Sequence, residues 1–92
     1  MRNERLDVPS DLPLYPIRTV AKLTGLNPGR NRAWEREYHL LEPARTEGRH
    51  RLFSNGDVSR IRWIKKMMRE HGMSLKGIQR LIEARKEEPA HR

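Results

Sequence analysis

The sequence contains no cysteine in its 92 residues, which excludes disulfide bonds and thiolate ligands for a metal ion. Apolar residues make up only 35% of the chain and aromatic residues 5%, so we expect one domain with a small core. No apolar run approaches the roughly 20 residues of a membrane-spanning helix. Residues 1–13 also lack the apolar segment of a signal peptide. We therefore expect a cytoplasmic domain without a membrane partner.

Positive charge is what the sequence has in excess. Lysine and arginine together number 20, against 12 aspartate and glutamate residues, which gives a formal net charge of +8 at pH 7. A surplus of this size favours a polyanionic partner, because it attracts negatively charged molecules to the surface.

Residues that could carry catalysis or bind a metal ion lack the spacing that such sites need. Gly25 and Gly29 are isolated and form no phosphate loop. Ser54 and Ser74 are better explained as helix caps than as nucleophiles. The four histidines fall in four different segments, namely His39, His50, His71 and His91. We therefore predict no enzyme activity, no cofactor and no metal site.

The chain divides into three parts. Residues 1–14 combine charges with Pro9 and Pro13 and show no periodicity, which predicts a flexible arm. Residues 15–88 should form the folded domain, and residues 89–92 a short tail, because Pro89 cannot continue a helix.

Two short helices are predicted at the start of the domain. The first contains Leu23 and ends at Gly25, since glycine adopts the left-handed conformation without strain. The second covers residues 28–38 and begins where Asn27 can cap the free amides and Pro28 takes the first helical position. The short turn between them is typical of a helix-turn-helix.

Two longer helices are predicted in the second half. The third begins after a cap at Ser54 and ends at Gly72, and the fourth begins after a cap at Ser74. Each has one apolar side at helical spacing, formed by Val58, Ile61, Ile64, Met67 and Met68 in the third helix and by Leu75, Ile78, Leu81 and Ile82 in the fourth.

A small β-hairpin is predicted between the second and third helices, over residues 44–53. Glu47 and Gly48 are typical of a tight turn, and the residues on each side of them can pair as two strands. We call this hairpin the wing. The residues alone thus predict a mainly α-helical domain of four helices with a two-stranded wing.

The second helix and the wing carry the candidate DNA-contacting residues. The helix has projecting arginines and a positive N-terminal end, and the small residues Gly29 and Ala33 keep part of its surface free of long side chains. A phosphate backbone can therefore approach it closely. A basic hairpin fits along a duplex or into its minor groove. The alternative is a solvated helix face that Glu35 and Glu37 balance. The candidates are Asn27, Gly29, Arg30, Arg32, Ala33, Arg36, Arg45, Arg49, His50 and Arg51.

The third helix is also strongly basic and contains aromatic residues. A soluble surface and a phosphate-facing role for one or two of its cations both stay open for Arg60, Arg62, Lys65, Lys66 and Arg69. In a core this small, packing is favoured over stacking on unpaired bases for Trp34, Phe53, Tyr38 and Trp63.

Several stretches of the sequence occur together in one known order. They are Tyr15 to Leu26, Arg32 to Arg36, Leu40 to Arg45, Gly48 to Ser54, and His71 to Ile78. In that order they resemble the first helix and turn, the recognition helix, its exit, the wing, and the step into the fourth helix of the MerR family of bacterial transcription regulators. The cobalamin-dependent light-sensing and heat-shock repressor branches look most similar, and the glutamine-synthesis branch is also similar.

The resemblance implies a winged helix-turn-helix. The second helix would lie in the major groove, and the wing would lie on the flanking backbone or in the minor groove. Carried over by position, Arg32 would contact base edges or phosphate, and Arg30 and Ala33 would face the groove. The contacts of the wing would be Arg49, His50 and Arg51.

Three features depart from the family pattern. Asn31 stands where the family usually has a leucine or isoleucine facing the core, so its amide must find partners or the helix must rotate. His39 stands where a glycine is common and a left-handed conformation is expected. The chain also stops at Arg92, where the family normally continues into a dimerising helix and an effector domain. We expect either a fragment of a longer regulator or a short protein that cooperates with neighbours on DNA.

Three functions are compatible with the sequence. The leading hypothesis is sequence-specific binding of double-stranded DNA in transcription regulation. The alternative is a small architectural or excisionase-like DNA-binding protein that acts cooperatively on repeats. A protein-interaction module that docks a partner on the fourth helix is the third. Self-association on DNA and contact with RNA polymerase stay open as further partnerships.

Overall fold

The structure, a computed structural model, describes residues 8–87 of the chain. Its elements are β1 (Tyr15–Pro16), α1 (Ile17–Thr24), α2 (Pro28–Tyr38), β2 (Ala44–Arg45), β3 (Arg51–Phe53), α3 (Asn55–His71) and α4 (Leu75–Glu87). The four predicted helices are confirmed, and α2 has the predicted bounds. The tail predicted over residues 89–92 lies outside the described residues.

Local interactions set the ends of the helices. The side chain of Asn27 accepts a hydrogen bond of 2.8 Å from the backbone N–H of Arg30 and caps α2. Ser54 caps α3 through a capping box, in which its hydroxyl and the carboxylate of Asp57 each accept a backbone N–H of the other residue. Gly25 ends α1 with a φ of 78°, a left-handed conformation that glycine adopts without strain.

His39 ends α2 in the left-handed conformation expected there, with φ 53° and ψ 37°. For a residue with a Cβ atom this conformation costs about 1 to 2 kcal/mol. The N–H of His39 donates to the carbonyl of Glu35 at 3.2 Å, and the N–H of Leu40 donates to that of Trp34 at 3.0 Å. These two bonds close the helix and hold the histidine in its unfavourable conformation.

The wing is present, and the sheet has one strand more than the two predicted. β2 and β3 form the hairpin, with Arg45 directly opposite Arg51. β1, which the sequence did not reveal, pairs antiparallel with the other side of β3 and places Tyr15 opposite Phe53. The strand order is β1-β3-β2, so Pro16 occupies an edge strand, where a missing N–H is tolerated.

The described part of the predicted arm, residues 8–14, lies against the domain. The N–H of Leu14 donates to the carbonyl of Phe53 at 2.9 Å, and the carbonyl of Ser10 accepts from the N–H of Gly56 at 2.8 Å. A Cβ atom at position 56 would lie 3.1 Å from that carbonyl, so glycine permits the approach. The segment ties β3 to the start of α3. The flexible arm stays a prediction for residues 1–7, which lie outside the described residues.

The core lies where the helices meet the sheet. Trp34 and Phe53 are buried in it, and Tyr38 and Trp63 pack against it, as the packing hypothesis predicted. Its buried apolar residues are Val20, Leu26, Trp34, Leu40, Leu41, Phe53, Val58, Ile61, Ile64 and Ile78. Between residues 8 and 87, no helix is both long enough and apolar enough to cross a membrane.

One polar side chain of α2 lies inside this core. Asn31 has no exposed surface, and neither its amide nitrogen nor its amide oxygen has a hydrogen-bond partner among residues 8–87. The helix has not rotated to expose the amide. An unpaired buried amide destabilises a fold by about 1 to 3 kcal/mol.

Candidate nucleic-acid interface

α2 carries three exposed arginines, Arg30, Arg32 and Arg36. Arg32 and Arg36 lie one turn apart on the side of the helix away from the buried Trp34, whereas Arg30 precedes Trp34 by one turn and lies on its side of the helix. The guanidinium of Arg30 lies 5.9 Å from the centroid of the Trp34 ring, a cation–π arrangement that restrains it against the helix. The helix therefore presents Arg32 and Arg36 on its outer side, with Arg30 held beside the buried tryptophan.

The residues between these arginines include two with little or no side chain, as predicted. Gly29 is exposed and has no side chain, and Ala33 is half-buried. Asn27 is also exposed, but its side-chain oxygen is already bonded to the backbone of the first turn. Its role in the structure is to start α2 and to leave the other amides of that turn accessible.

The tip of the wing presents two basic side chains, Arg49 and His50, which are both exposed. The backbone around them is fixed by Thr46, whose N–H donates to the carbonyl of His50 at 2.9 Å and whose carbonyl accepts from the N–H of Arg49 at 2.8 Å. Arg49 adopts a left-handed conformation with φ 66°. The turn thus holds Arg49 exposed and in a strained conformation.

Glu35 lies between α2 and the wing and contacts both strands of the hairpin. Its Oε2 accepts a bond of 2.7 Å from Nη2 of Arg45, and its Oε1 accepts a bond of 2.6 Å from Nε of Arg51. The side chain of Glu35 is 19% exposed, against 41% for Arg45. We call these three residues the wing clamp. Glu35 does not simply balance a solvated helix face, since its charge is paired with the wing.

A cleft of about 540 Å³ lies where the start of α1 meets α2 and the wing. Its lining contains four arginines and a histidine and no carboxylate. The lining residues are Pro16, Ile17, Arg18, Thr19, Arg32, Arg49, His50 and Arg51. A concave surface with charge of one sign focuses its field outward, so this cleft favours an anionic group.

Two residues of the cleft, Arg18 and Thr19, are absent from the sequence-based candidates. They lie in the first turn of α1, which begins at Ile17. That turn has no acidic residue and no side-chain cap, so its amides and the positive end of the helix dipole attract an anion. The lack of an acidic residue after Pro16 is the signal that could have revealed this site.

Four of the five cations of α3 have partners within the protein: Arg69 makes a weak contact of 3.5 Å with the carboxylate of Glu70, and the other three bond backbone carbonyls. Arg62 donates to the carbonyl of Leu23 at 3.0 Å and Lys65 to that of Thr24 at 2.7 Å, at the C-terminal end of α1. Arg60 makes a longer bond of 3.5 Å to the carbonyl of Leu40. Positive charge is favourable at a helix C-terminus, where carbonyls lack partners. These contacts explain much of the basic character of α3 without a nucleic acid.

The histidines that the structure describes stay apart from one another. His39 ends α2, His50 lies in the wing and His71 ends α3, whereas His91 lies outside the described residues. Over residues 8–87, no group of three or more histidine or acidic side chains could hold a metal ion.

Comparison with known proteins gives consistent matches. Residues 15–85 match a family model described as MerR HTH family regulatory protein. Over 69 residues the chain is 45% identical to the HTH-type transcriptional regulator MlrA of Escherichia coli (strain K12), a match that covers 75% of this chain and 28% of MlrA. It is 35% identical over 82 residues to the putative heat shock protein HspR of Streptomyces coelicolor, covering 89% of this chain and 54% of HspR.

A third relative is the HTH-type transcriptional regulator GlnR of Bacillus anthracis, 39% identical over 70 residues, with 76% of this chain and 53% of GlnR covered. The chain therefore spans about a quarter of the length of MlrA and about half the length of HspR and GlnR.

Proposed function

Because this chain belongs to the MerR family of helix-turn-helix regulatory proteins, which bind double-stranded DNA in transcription regulation, we propose that it recognises a specific DNA sequence. In this proposal α2 lies in the major groove, and the wing lies on the flanking backbone or in the minor groove. We propose no enzyme activity, because regulation through DNA binding requires none.

The observation that carries this proposal is the carboxylate-free cleft between α1, α2 and the wing. An α-helix fits a major groove about 12 Å wide, and phosphates line both sides of that groove. A phosphate strand beside α2 would therefore pass along the cleft. The arginines there come from α1, α2 and the wing, so one strand could engage all three elements.

The arginines of α2 take different parts in this proposal. Arg32 lines the cleft from the helix side and contacts a base edge or a nearby phosphate. Arg30 and Ala33 face the groove, and Gly29 permits close approach of the helix. Arg36 lies one turn further along, and its contact of 3.8 Å with the exposed Glu37 is too weak to withhold it from DNA.

The phosphate contacts come from the wing tip and the start of α1. Arg49, His50 and Arg18 line the same cleft, and each side chain is exposed. Such contacts fix the position of the protein on the duplex without reading its sequence. Arg45 and Arg51, the other two predicted contacts of the wing, both have a partner in Glu35.

Further partnerships are proposed on the strength of the DNA-binding role. Self-association on DNA and contact with RNA polymerase are consistent with regulation of transcription, and the cytoplasm is the compartment that a bacterial DNA ligand implies. The MerR-type relatives are longer than this chain, so the activities of their remaining parts are not transferred to it.

The proposal is tested by titrating duplex DNA with the purified chain. A duplex is first selected from a randomised pool by the wild-type chain and is compared with a scrambled duplex. If Arg32 contacts a base, Arg32→Ala should weaken binding to the selected duplex by about 1 to 3 kcal/mol and leave the scrambled duplex almost unaffected. Arg49→Ala should weaken both duplexes alike and lower the slope of log affinity against log salt concentration by about 1.

The matched control is Lys66→Ala, which removes an exposed cation of α3 that does not line the cleft. It should lower the affinity for both duplexes slightly and equally. The preference for the selected duplex and the salt slope should stay as in the wild-type chain. Failure of the wild-type chain to bind either duplex at low salt would refute the proposal. A footprint that spreads along successive repeats would instead support the architectural alternative.

A further inference from the structure

The wing clamp joins three residues that are distant in sequence. Glu35 belongs to α2, and its partners Arg45 and Arg51 lie 10 and 16 residues further along the chain. Both bonds are short, at 2.7 and 2.6 Å, and use different oxygens of one carboxylate. Charge-assisted bonds of this length are the stronger kind in proteins. The carboxylate therefore connects one point of α2 to both strands of the hairpin.

The clamp also resolves an electrostatic conflict within the wing. Arg45 and Arg51 are direct cross-strand partners in the β2-β3 pairing. Two like charges in directly opposed positions destabilise a hairpin. Because each guanidinium bonds one oxygen of Glu35, the carboxylate offsets the repulsion between the two arginines and links the two strands of the hairpin. The short two-stranded wing thus depends on a residue of the neighbouring helix.

The arginines of the clamp differ from the arginine of the wing tip in their ion pairing. The Arg51 side chain is 20% exposed, and Arg49 at the tip is exposed and bonds no carboxylate among residues 8–87. Arg45 also donates to the carbonyl of Arg49 at 3.4 Å, which extends the clamp toward the tip. Among residues 8–87, the basic residues of the wing therefore fall into one pair that bonds Glu35 and one pair, Arg49 and His50, that bonds no carboxylate.

We infer that Glu35 is a positioning residue for DNA recognition, which sets the wing relative to α2 through Arg45 and Arg51. The inference rests on the proposed function, because it concerns the distance between the helix that reads bases and the hairpin that holds phosphate. It assigns the phosphate contacts of the wing to Arg49 and His50, whereas Arg45 and Arg51 act through Glu35.

Neutralising Glu35 distinguishes positioning of the wing from a general repulsion between the carboxylate and DNA. Glu35→Gln raises the net charge by one, so if the carboxylate only repelled DNA, the variant would bind every duplex more tightly. If the clamp positions the wing, affinity for the selected duplex should fall by about tenfold, a factor typical of removing one side chain that reads a base. Affinity for the scrambled duplex should hold or rise, so the ratio between the two duplexes should decrease.

Glu37→Gln is the matched control. It makes the same charge change two residues away on the same helix, where the carboxylate is 58% exposed and its one ion pair among residues 8–87 is a contact of 3.8 Å with Arg36. This variant should bind both duplexes as tightly as the wild-type chain or more tightly. If Glu35→Gln behaves in the same way as Glu37→Gln, the inference is overturned while the proposed function stands.

A second measurement on the free protein does not depend on DNA. Amide hydrogen exchange at Thr46 and Arg49, whose N–H groups close the wing turn, should become faster in Glu35→Gln and stay unchanged in Glu37→Gln. Unchanged exchange in both variants would overturn the inference even if affinity fell. If the wild-type chain binds no duplex, the proposed function fails, and the role in recognition fails with it.

Arg45→Gln is a second test of the wing clamp that applies even if Glu35→Gln does not fold. Arg45 is the most exposed member of the clamp, so the fold should tolerate its replacement. This variant should also lower the ratio between the selected and scrambled duplexes, but it should keep the salt slope of the wild-type chain. A salt slope lowered by about 1 would show that Arg45 binds a phosphate directly and would overturn its assignment to the clamp.

Discussion

Replacement of Asn31 by leucine should stabilise the protein, because the asparagine amide is buried without a partner among residues 8–87. Leucine removes the penalty of about 1 to 3 kcal/mol for the unpaired amide. It also adds apolar burial, whose full value for a side chain is about 1.5 to 3 kcal/mol. The larger side chain must fit a packed core, and such overpacking costs about 1 to 3 kcal/mol. The net expectation is a gain of about 1 to 3 kcal/mol in the free energy of unfolding.

Thermal unfolding followed by circular dichroism provides the assay. For a domain of this size, each kcal/mol shifts the melting temperature by about 4 to 8 °C, so a gain of about 1 to 3 kcal/mol in Asn31→Leu should raise it by about 4 to 24 °C. DNA binding should not change, because residue 31 has no exposed surface. Asn31→Asp is the opposing control, since a buried unpaired carboxylate should destabilise the fold strongly.

A melting temperature that falls in Asn31→Leu would refute this reasoning. It would show that the amide has a partner, such as a buried water molecule, whose loss outweighs the apolar gain. Equal melting temperatures for Asn31→Leu and the wild-type chain would show that overpacking cancels the gain and that the core at α2 cannot accept a larger side chain.

Three further substitutions test separate parts of the fold. Ser54→Ala removes one bond of the capping box and should lower the free energy of unfolding by about 1 kcal/mol in urea denaturation. His39→Gly should raise the same quantity by about 0.5 to 1 kcal/mol, because glycine adopts the left-handed conformation without strain. Lys65→Met should lower it by about 0.5 to 1.5 kcal/mol, because the bond to Thr24 is removed, while the salt slope of DNA binding stays unchanged. A slope lowered by Lys65→Met would place that cation on DNA instead.

The helices could be predicted because their boundaries depend on neighbouring residues. Asn27 and Pro28 define the start of α2 within one turn, and Ser54 does the same for α3 together with Asp57. The wing was also predictable, since Glu47 and Gly48 occupy the turn that joins its strands. In each case the determining contacts span at most a few residues of the chain.

The unpredicted features depend on contacts between distant residues. β1 has only two residues and no alternating pattern, and it forms because Tyr15 meets Phe53 after the chain has folded back. From the sequence alone, Glu35 is interpreted as a charge that balances the arginines of α2, whereas its bonding partners, Arg45 and Arg51, lie in the wing. Arg18 joins the candidate site only because the start of α1 packs beside the wing. Local pattern could not supply any of these three results.

The bond to the carbonyl of Ser10 shows that the folded unit begins earlier in the chain than the stretch that matches the family. The family match begins at residue 15, yet the amide of Gly56 in the first turn of α3 is satisfied by an atom five residues upstream of that point. A version trimmed to the matched stretch would uncover that amide and would remove the bond from the N–H of Leu14 to the carbonyl of Phe53 in β3. Boundaries for expressing this unit alone are therefore better drawn from its hydrogen bonds than from its alignment.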